Sequence, residues 1–221
     1  MDNDILVRRL KEKTELESLA SEVLNEPTMI HDLLDIIEQE KGSIKYLCSK
    51  TIRLVSEKKP AAVYAYFDEI AGLLQSENSF IKWDGISILS NLVKTDNNSK
   101  FDLIFNDYFG LIKGPQMITA ANVVGNAWKV ILAKPRYETE ITKRMLAVPD
   151  IVYFNKGEPS SECNNILCGH VIDCFEKYFE VSSLQEDIIE FVKAQLKNTR
   201  KSVAKKAEKF LKKFVRADYL S

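Results

Sequence analysis

The sequence predicts an all-α fold, and three observations carry that prediction. Apolar residues recur at spacings of three and four in nearly every segment, and alternating period-two runs are almost absent. Glycine (8) and proline (6) are too scarce for a collagen-like or loop-rich all-β chain. With 221 residues, 45% of them hydrophobic and 29% charged, the chain can bury a core without disulfide or metal. Its longest uncharged stretch, Gly114 to Trp128, holds proline, glutamine and two asparagines and is shorter than the roughly twenty apolar residues of a membrane span. The opening Met1-Asp2-Asn3-Asp4 is acidic and lacks the basic start and apolar middle of a signal peptide, so a cytoplasmic protein with four free thiols and no membrane contact is expected.

Each element follows from local pattern. Residues 1–26 read as an amphipathic N-terminal cap carrying Ile5, Leu6, Leu10, Leu19, Val23 and Leu24. Five segments follow, at 29–57, 60–95, 100–133, 136–181 and 184–216. Pro27, Pro60 and Pro135 stand where periodic segments begin, positions at which a fixed φ and a missing N–H do no harm. Breaks at Glu40 to Ser43, Ser76 to Ser79 and Asn97 to Ser99 carry the Gly, Ser, Asn and acidic residues of turns and N-caps.

The segments repeat. Ile44-Lys45-x-x-Cys48-x-x-Thr51-Ile52-x-x-Val55 lies over Ile81-Lys82-x-x-Gly85-x-x-Ile88-Leu89-x-x-Leu92 without a gap. The same frame fits Met117, Ala121, Val124, Gly125 and Trp128, then Cys168, Val171, Ile172 and Phe175, then Val203, Ala207, Phe210, Leu211 and Phe214. The small fifth residues, Cys48, Gly85, Ala121, Cys168 and Ala207, are spaced by 37, 36, 47 and 39. In the first three units a further amphipathic stretch ending in a paired aliphatic (Ile36-Ile37, Leu73-Leu74, Leu111-Ile112) precedes the frame, so every unit reads as two antiparallel helices. A small fifth residue lets the second helix approach its neighbour closely, while positions one, eight, nine and twelve fill the seam between repeats.

This pattern resembles the second helix of HEAT repeats, within the α-solenoid class that includes armadillo arrays. The resemblance covers about Met29 to Arg216. Units one and two carry the basic second position (Lys45, Lys82), whereas the later units have Ile118, Asn165 and Ala204 there and unit four opens on Asn164. It implies one domain, a right-handed α-α superhelix of about five two-helix repeats behind an N-terminal capping helix, with the second helices lining a concave groove.

Positions three, seven and ten of each unit share one stripe: Tyr46, Lys50, Arg53; Trp83, Ser87, Ser90; Thr119, Val123, Asn126; Ile166, His170, Asp173; Lys205, Lys209, Lys212. The function the resemblance implies is a scaffold or adaptor holding a protein segment in that groove. Tyr46 and Trp83 would anchor it, Lys50, Arg53 and Lys82 would meet acidic residues, and Asn122 and Asn126 would meet backbone amides, with His170 and Asp173 further along. Tyr46 and Trp83 also fit a second reading, in which both rings fold back to complete the core. The 149–163 segment, which lengthens unit four, reads as a functional flap or as a loop whose apolar half tucks inward.

From Lys193 onward there are ten basic against two acidic residues, a net of +8, which leaves −9 on residues 1–192. On a helix Lys197, Lys201, Lys205, Lys209, Lys212 and Arg216 make a cationic band. It reads as the solvated face of a terminal cap, or as a contact for nucleic-acid phosphate or an acidic partner. The alternative function is therefore nucleic-acid binding, with a resemblance to HEAT-like alkylpurine DNA glycosylases of about this size. Cys163, His170 and Cys174 invite a zinc reading, but Cys-x4-Cys-x5-Cys is no standard zinc spacing and Cys168 and Cys174 point to opposite sides of a helix. His31 reads as a surface residue of the convex side. No glycine-rich phosphate loop, paired-carboxylate motif or serine elbow is visible, so no metal, cofactor or catalytic residue is expected and binding is favoured over catalysis.

Overall fold

Helices begin and end where the punctuation residues place them. The computed structural model describes residues 3–12, 15–40 and 42–215, with side chains from Leu6 onward; the expected roles of Ile5 and Arg216 lie outside the described residues. Two compact units result, Met1–Phe105 and Asn106–Ser221.

In the first unit, α1 (Asn3–Lys11) and α2 (Leu16–Asn25) precede a pair formed by α3 (Met29–Gln39) and α4 (Ile44–Lys58). Pro60 opens α5 (Pro60–Val63) at its first turn, and tight turns at Tyr64–Tyr66 and Leu73–Gln75 interrupt the path through α6 (Phe67–Gly72). Asn78 caps α7 (Ser79–Leu92), its side-chain oxygen accepting from the Phe80 and Ile81 amides at 3.1 and 3.3 Å. Asp96 does the same for α8 (Lys100–Gly110), accepting from the Lys100 and Phe101 amides at 2.8 and 3.0 Å. Tyr64 donates its hydroxyl to the same carboxylate at 2.5 Å, which ties that cap to the Tyr64–Tyr66 turn between α5 and α6. Leu6, Leu19, Val23, Ile30, Leu33, Ile52 and Val55 are fully buried where α2 and α3 cover one side of α4, and α7 covers another.

In the second unit α9 (Met117–Ala133) packs on the Leu111–Lys113 turn that follows α8 and on α11 (Ser161–Tyr178), α10 (Glu138–Leu146) packs on α9 and α12 (Gln185–Gln195), and α12 packs on α13 (Lys201–Phe214). α11 packs between α9 and α13. The 149–163 segment folds as a hairpin of β1 (Phe154–Asn155) and β2 (Glu158–Pro159), in register Phe154↔Pro159. Lys156 and Gly157 turn it with φ of 52° and 87°, the paired positive values that a two-residue hairpin turn needs. Tyr153 is fully buried and donates to the Ile112 carbonyl at 2.6 Å, while Val152 and Phe154 stay exposed, so only half of the segment's apolar residues tuck inward.

The α4–α7 and α11–α13 seams are bridged at matching offsets. Ser49 bonds Asp84 and Ser56 bonds Asn91, each 35 residues on, and Arg53 bonds Asp84, 31 residues on. These fall two and six short of the 37-residue step. Between α11 and α13, Glu176 pairs with Lys213, 37 residues on, and Asp173 pairs with Lys206, 33 residues on. These again fall two and six short, now of the 39-residue step, with the charges exchanged.

Small residues set the close approaches, with two departures from the expected frame. A Cβ on Gly85 would stand 2.9 Å from the Leu73 Cβ, so the neighbour it admits is the Leu73–Gln75 turn that precedes α7. In α11 the glycine after Cys168 makes the approach: a Cβ on Gly169 would stand 3.0 Å from the Val203 Cγ2 of α13. Gly125, by contrast, is exposed with open space around it. Gly85→Ala is expected to cost about 1–2 kcal/mol, overpacking outweighing the gain in helix propensity. Gly125→Ala is expected to stabilise by about 0.5–1 kcal/mol; urea midpoints of the two variants should move in opposite directions.

Glu138, 6% exposed in the first turn of α10, carries a buried hydrogen-bond network. Its carboxylate accepts from Ser182 and Ser183 at 2.5 Å each and from Thr142 at 3.1 Å, and Thr142 shares a 2.7 Å hydrogen bond with Tyr178. Burial alone would push the carboxyl up; the Ser182, Ser183 and Thr142 hydroxyls override it and hold Glu138 below the ordinary carboxylate range. A depressed folded-state value gives stability that is full above the unfolded value and is lost as pH falls through the folded one. Glu138→Ala should cost about 3 kcal/mol near neutrality through the stranded hydroxyls. The variant should also lose part of the wild type's acid-side decline, as read by urea melts across the acid range.

Candidate functional site

The sequence-derived site residues divide between the units: Tyr46, Lys50, Arg53, Lys82 and Trp83 lie in the first, and Asn122, Asn126, His170, Asp173, Lys205, Lys209 and Lys212 in the second. Each set forms surface within its own unit.

In the first unit, α4 supplies Tyr46 and α7 supplies Trp83, both half-buried. Neither completes the core and the two do not face each other directly. Phe80 stands between them, its ring centroid 5.7 Å from Tyr46 and 5.2 Å from Trp83, edge-to-face on both sides. Phe80 is 60% exposed, so the aromatic surface is centred on a residue outside the expected stripe. The helical pair Phe80 and Trp83, three apart, was the signal that carries it. The cluster is held from below: Asn78, already capping α7, donates its amide to the Tyr46 hydroxyl at 2.8 Å. The Lys45 ammonium lies 5.6 Å from the Tyr46 ring centroid, in cation–π reach.

The cations beside it differ. Lys50 is exposed and Lys82 half-exposed, and neither has an ion-pair partner among the described residues. Arg53 is already engaged: its guanidinium bonds Asp84 at 2.8 Å and lies 3.9 Å from Glu57. Asp84, with a side chain 7% exposed, also accepts from Ser49 at 2.7 Å, so removing Arg53 would strand a buried carboxylate.

In the second unit the stripe is rotated on α9. Thr119 and Val123 are buried, and Ile118 and Asn122 take the surface instead. The frame there sits one residue earlier than expected, with Ala120 fully buried where Ala121 was expected to be the packing residue. Asn122 and Asn126 donate their side-chain amides to their own helix, to Ile118 O and Asn122 O at 2.9 Å each, which leaves those donors committed. A shallow groove of about 270 Å³ between α9 and α11 is lined by Ile118, Ala121, Asn122, Ile166 and His170 among others. Withdrawal from water and the Lys206 cation hold His170 below the ordinary imidazole range, against the opposing pull of Asp173. Asp173 pairs with Lys206 and Lys206 also reaches the Gly169 carbonyl.

All four cysteines are buried, and Cys48, Cys168 and Cys174 keep their thiols protonated at neutral pH. Burial pushes Cys174 and Cys48 up to about 12 and Cys168 to about 11, the opposite of an activated nucleophile. Among the described residues no group of three or more His, Cys, Asp or Glu is arranged to hold a metal ion. No helix among them is long and apolar enough to cross a membrane. His31 is exposed, 3.9 Å from Asp35 and 3.8 Å from Glu69.

Along α13, Lys205, Lys209 and Lys212 are exposed and have no ion-pair partner among the described residues, whereas Lys206, Lys213 and Arg200 pair with Asp173, Glu176 and Glu162. Comparison of the chain with protein-family models, with curated proteins and with solved structures finds no match.

Proposed function

We propose that the chain is a HEAT-like helical-repeat scaffold whose second helices hold a segment of another protein, with Tyr46, Phe80 and Trp83 as the anchor. The observation that carries this reading is the exposed Phe80 ring fixed between two aromatic neighbours that are themselves hydrogen-bonded or helix-borne. Covering a ring of that size is worth roughly 1.5–3 kcal/mol, the scale of one interface hot spot, and the held geometry lowers the cost of ordering it. Lys50 and Lys82 beside it favour a segment with acidic residues near an aromatic or aliphatic side chain. The matching offsets between successive second helices support the repeat architecture on which the reading rests.

Trp83 supplies the readout once Trp128 is replaced by Phe. Titration with an array of peptides that place one aromatic or leucine beside acidic residues should shift Trp83 emission to the blue for a subset. Phe80→Ala should weaken those peptides at least tenfold. The reading fails if no peptide shifts the emission, or if Phe80→Ala leaves every affinity unchanged.

A second reading is favoured by one observation, the unpaired row Lys205, Lys209 and Lys212, which suits a phosphate backbone. On that reading, affinity for single-stranded nucleic acid falls with a log–log salt slope of about −0.7 per phosphate contacted. Replacement of the three lysines by Glu abolishes it. Absence of binding at low salt removes it.

A further inference from the structure

A concavity of the first unit lies beside the aromatic surface, with Lys45 and Asn78 common to both, in the valley between α3 and the α6 to α7 connection. It measures about 830 Å³. Leu34, Ile37, Leu73 and Ile81 form its floor. Asp35 and Glu38 from α3 and Glu69 and Glu77 from the opposite wall form its rim, with Lys45 as the cation among the lining residues. That cation is turned to the Tyr46 ring. Glu38 and Glu77 are exposed and have no ion-pair partner among the described residues, while His31 sits between Asp35 and Glu69 at one end. The negative field there is also felt by Tyr66, whose phenol is pushed up by burial, then by Glu69 and Asp32.

We propose that this valley is a docking site for a lysine- or arginine-bearing amphipathic segment of another protein, its apolar side chains on the floor and its cations on the rim. Charge complementarity selects the occupant: carboxylates on both walls repel an acidic segment and attract a basic one, and an apolar floor gives no advantage to a fully polar chain. The occupant is opposite in charge to the one the aromatic surface favours, so the two surfaces take different segments and this inference does not rest on that reading. Gly72 lines the valley, and a Cβ built there meets nothing within 4 Å, so a larger side chain at that point can intrude on the space without a clash at its Cβ.

The probe is a labelled synthetic peptide with leucine and lysine at helical spacing, followed by fluorescence anisotropy with the full-length chain. Binding should weaken more than tenfold in the Glu38→Lys, Glu69→Lys double variant. It should weaken similarly in Gly72→Leu, which leaves every charge in place. A Glu186→Lys, Glu190→Lys pair on the exposed face of α12 makes the same change in net charge and should stay within twofold of wild type. A peptide with serine in place of leucine should bind more than tenfold more weakly. If charge reversal unfolds the chain, Glu38→Gln with Glu69→Gln serves, judged against the same thermal melt.

Equal losses in the cleft pair and the α12 pair would mean diffuse attraction and overturn the proposal. So would undiminished binding by Gly72→Leu or by the serine peptide. A mass in solution that doubles at low salt and returns to monomer in the cleft pair would assign the valley to a second copy of this chain and overturn the stated occupant.

Discussion

A helix packed on two sides has only a narrow strip of its circumference left for water, and that constraint governs α4 in the first unit and α11 in the second. α11, between α9 and α13, buries Leu167, Cys168, Gly169, Val171, Ile172, Cys174, Phe175 and Tyr178 and is left with residues such as Ile166, His170 and Asp173 at its edge. α4, covered by α2 and α3 on one side and α7 on another, is limited in the same way. Apolar burial carries most of the energy of such seams, at about 1.5–3 kcal/mol per large side chain, against about 0–1 kcal/mol for an exposed ion pair. The polar pairs along the seams therefore act mainly on register. Among the described residues Ser49 and Arg53 are the donors to Asp84, and a slip of one residue in either helix would take both away from a buried carboxylate.

That the α4–α7 and α11–α13 seams use the same two offsets with exchanged charges says something about how they are built. A position ten residue of one helix meets a position four residue of the next, as Arg53 to Asp84 or Asp173 to Lys206. Either sign works because the geometry asks only for opposite charges at those places. A sequence comparison that scores residue identity would see Arg against Asp and Asp against Lys and find no likeness, although the physical contact is the same.

The helical class and several helix starts were legible in the sequence because they depend on local chemistry: Pro60 at a first turn, Asn78 within the expected Ser76 to Ser79 break, aliphatics at three and four. The α8 cap falls on Asp96, one residue before the expected Asn97 to Ser99 break. The rotation of α9 was not legible. Its apolar residues run Met117, Ile118, Ala120, Ala121, Val123, Val124 with no charge until Lys129, so nothing in periodicity marks which side faces the core, and the frame was placed one residue late. Ile118 at 52% exposure is the result. The Glu138 network was invisible for a different reason: Ser182 and Ser183 are more than forty residues away and look like ordinary turn residues. Of the candidate site, Tyr46 and Trp83 were found by equivalence between repeats, whereas Phe80 has no counterpart in the neighbouring frame and emerged only from the fold.

Charge placement separates what the fold uses from what it leaves over. Arg53, Lys206, Lys213 and Arg200 bond to carboxylates on a neighbouring element and so belong to the seams. Lys50, Lys205, Lys209 and Lys212 are exposed without such partners among the described residues, and Glu38 and Glu77 are left over in the same sense on the acidic side. An exposed ion pair adds little to stability, so the fold gains little by pairing these groups and loses little by leaving them free. Their effect is on encounter: a basic row, an acidic valley and an aromatic knob each bias which surfaces approach the chain and in which orientation, while the apolar residues beneath decide how long they stay. An overall charge near zero hides this, since the +8 at one end and the −9 over the rest cancel in the sum but act on different partners at different places.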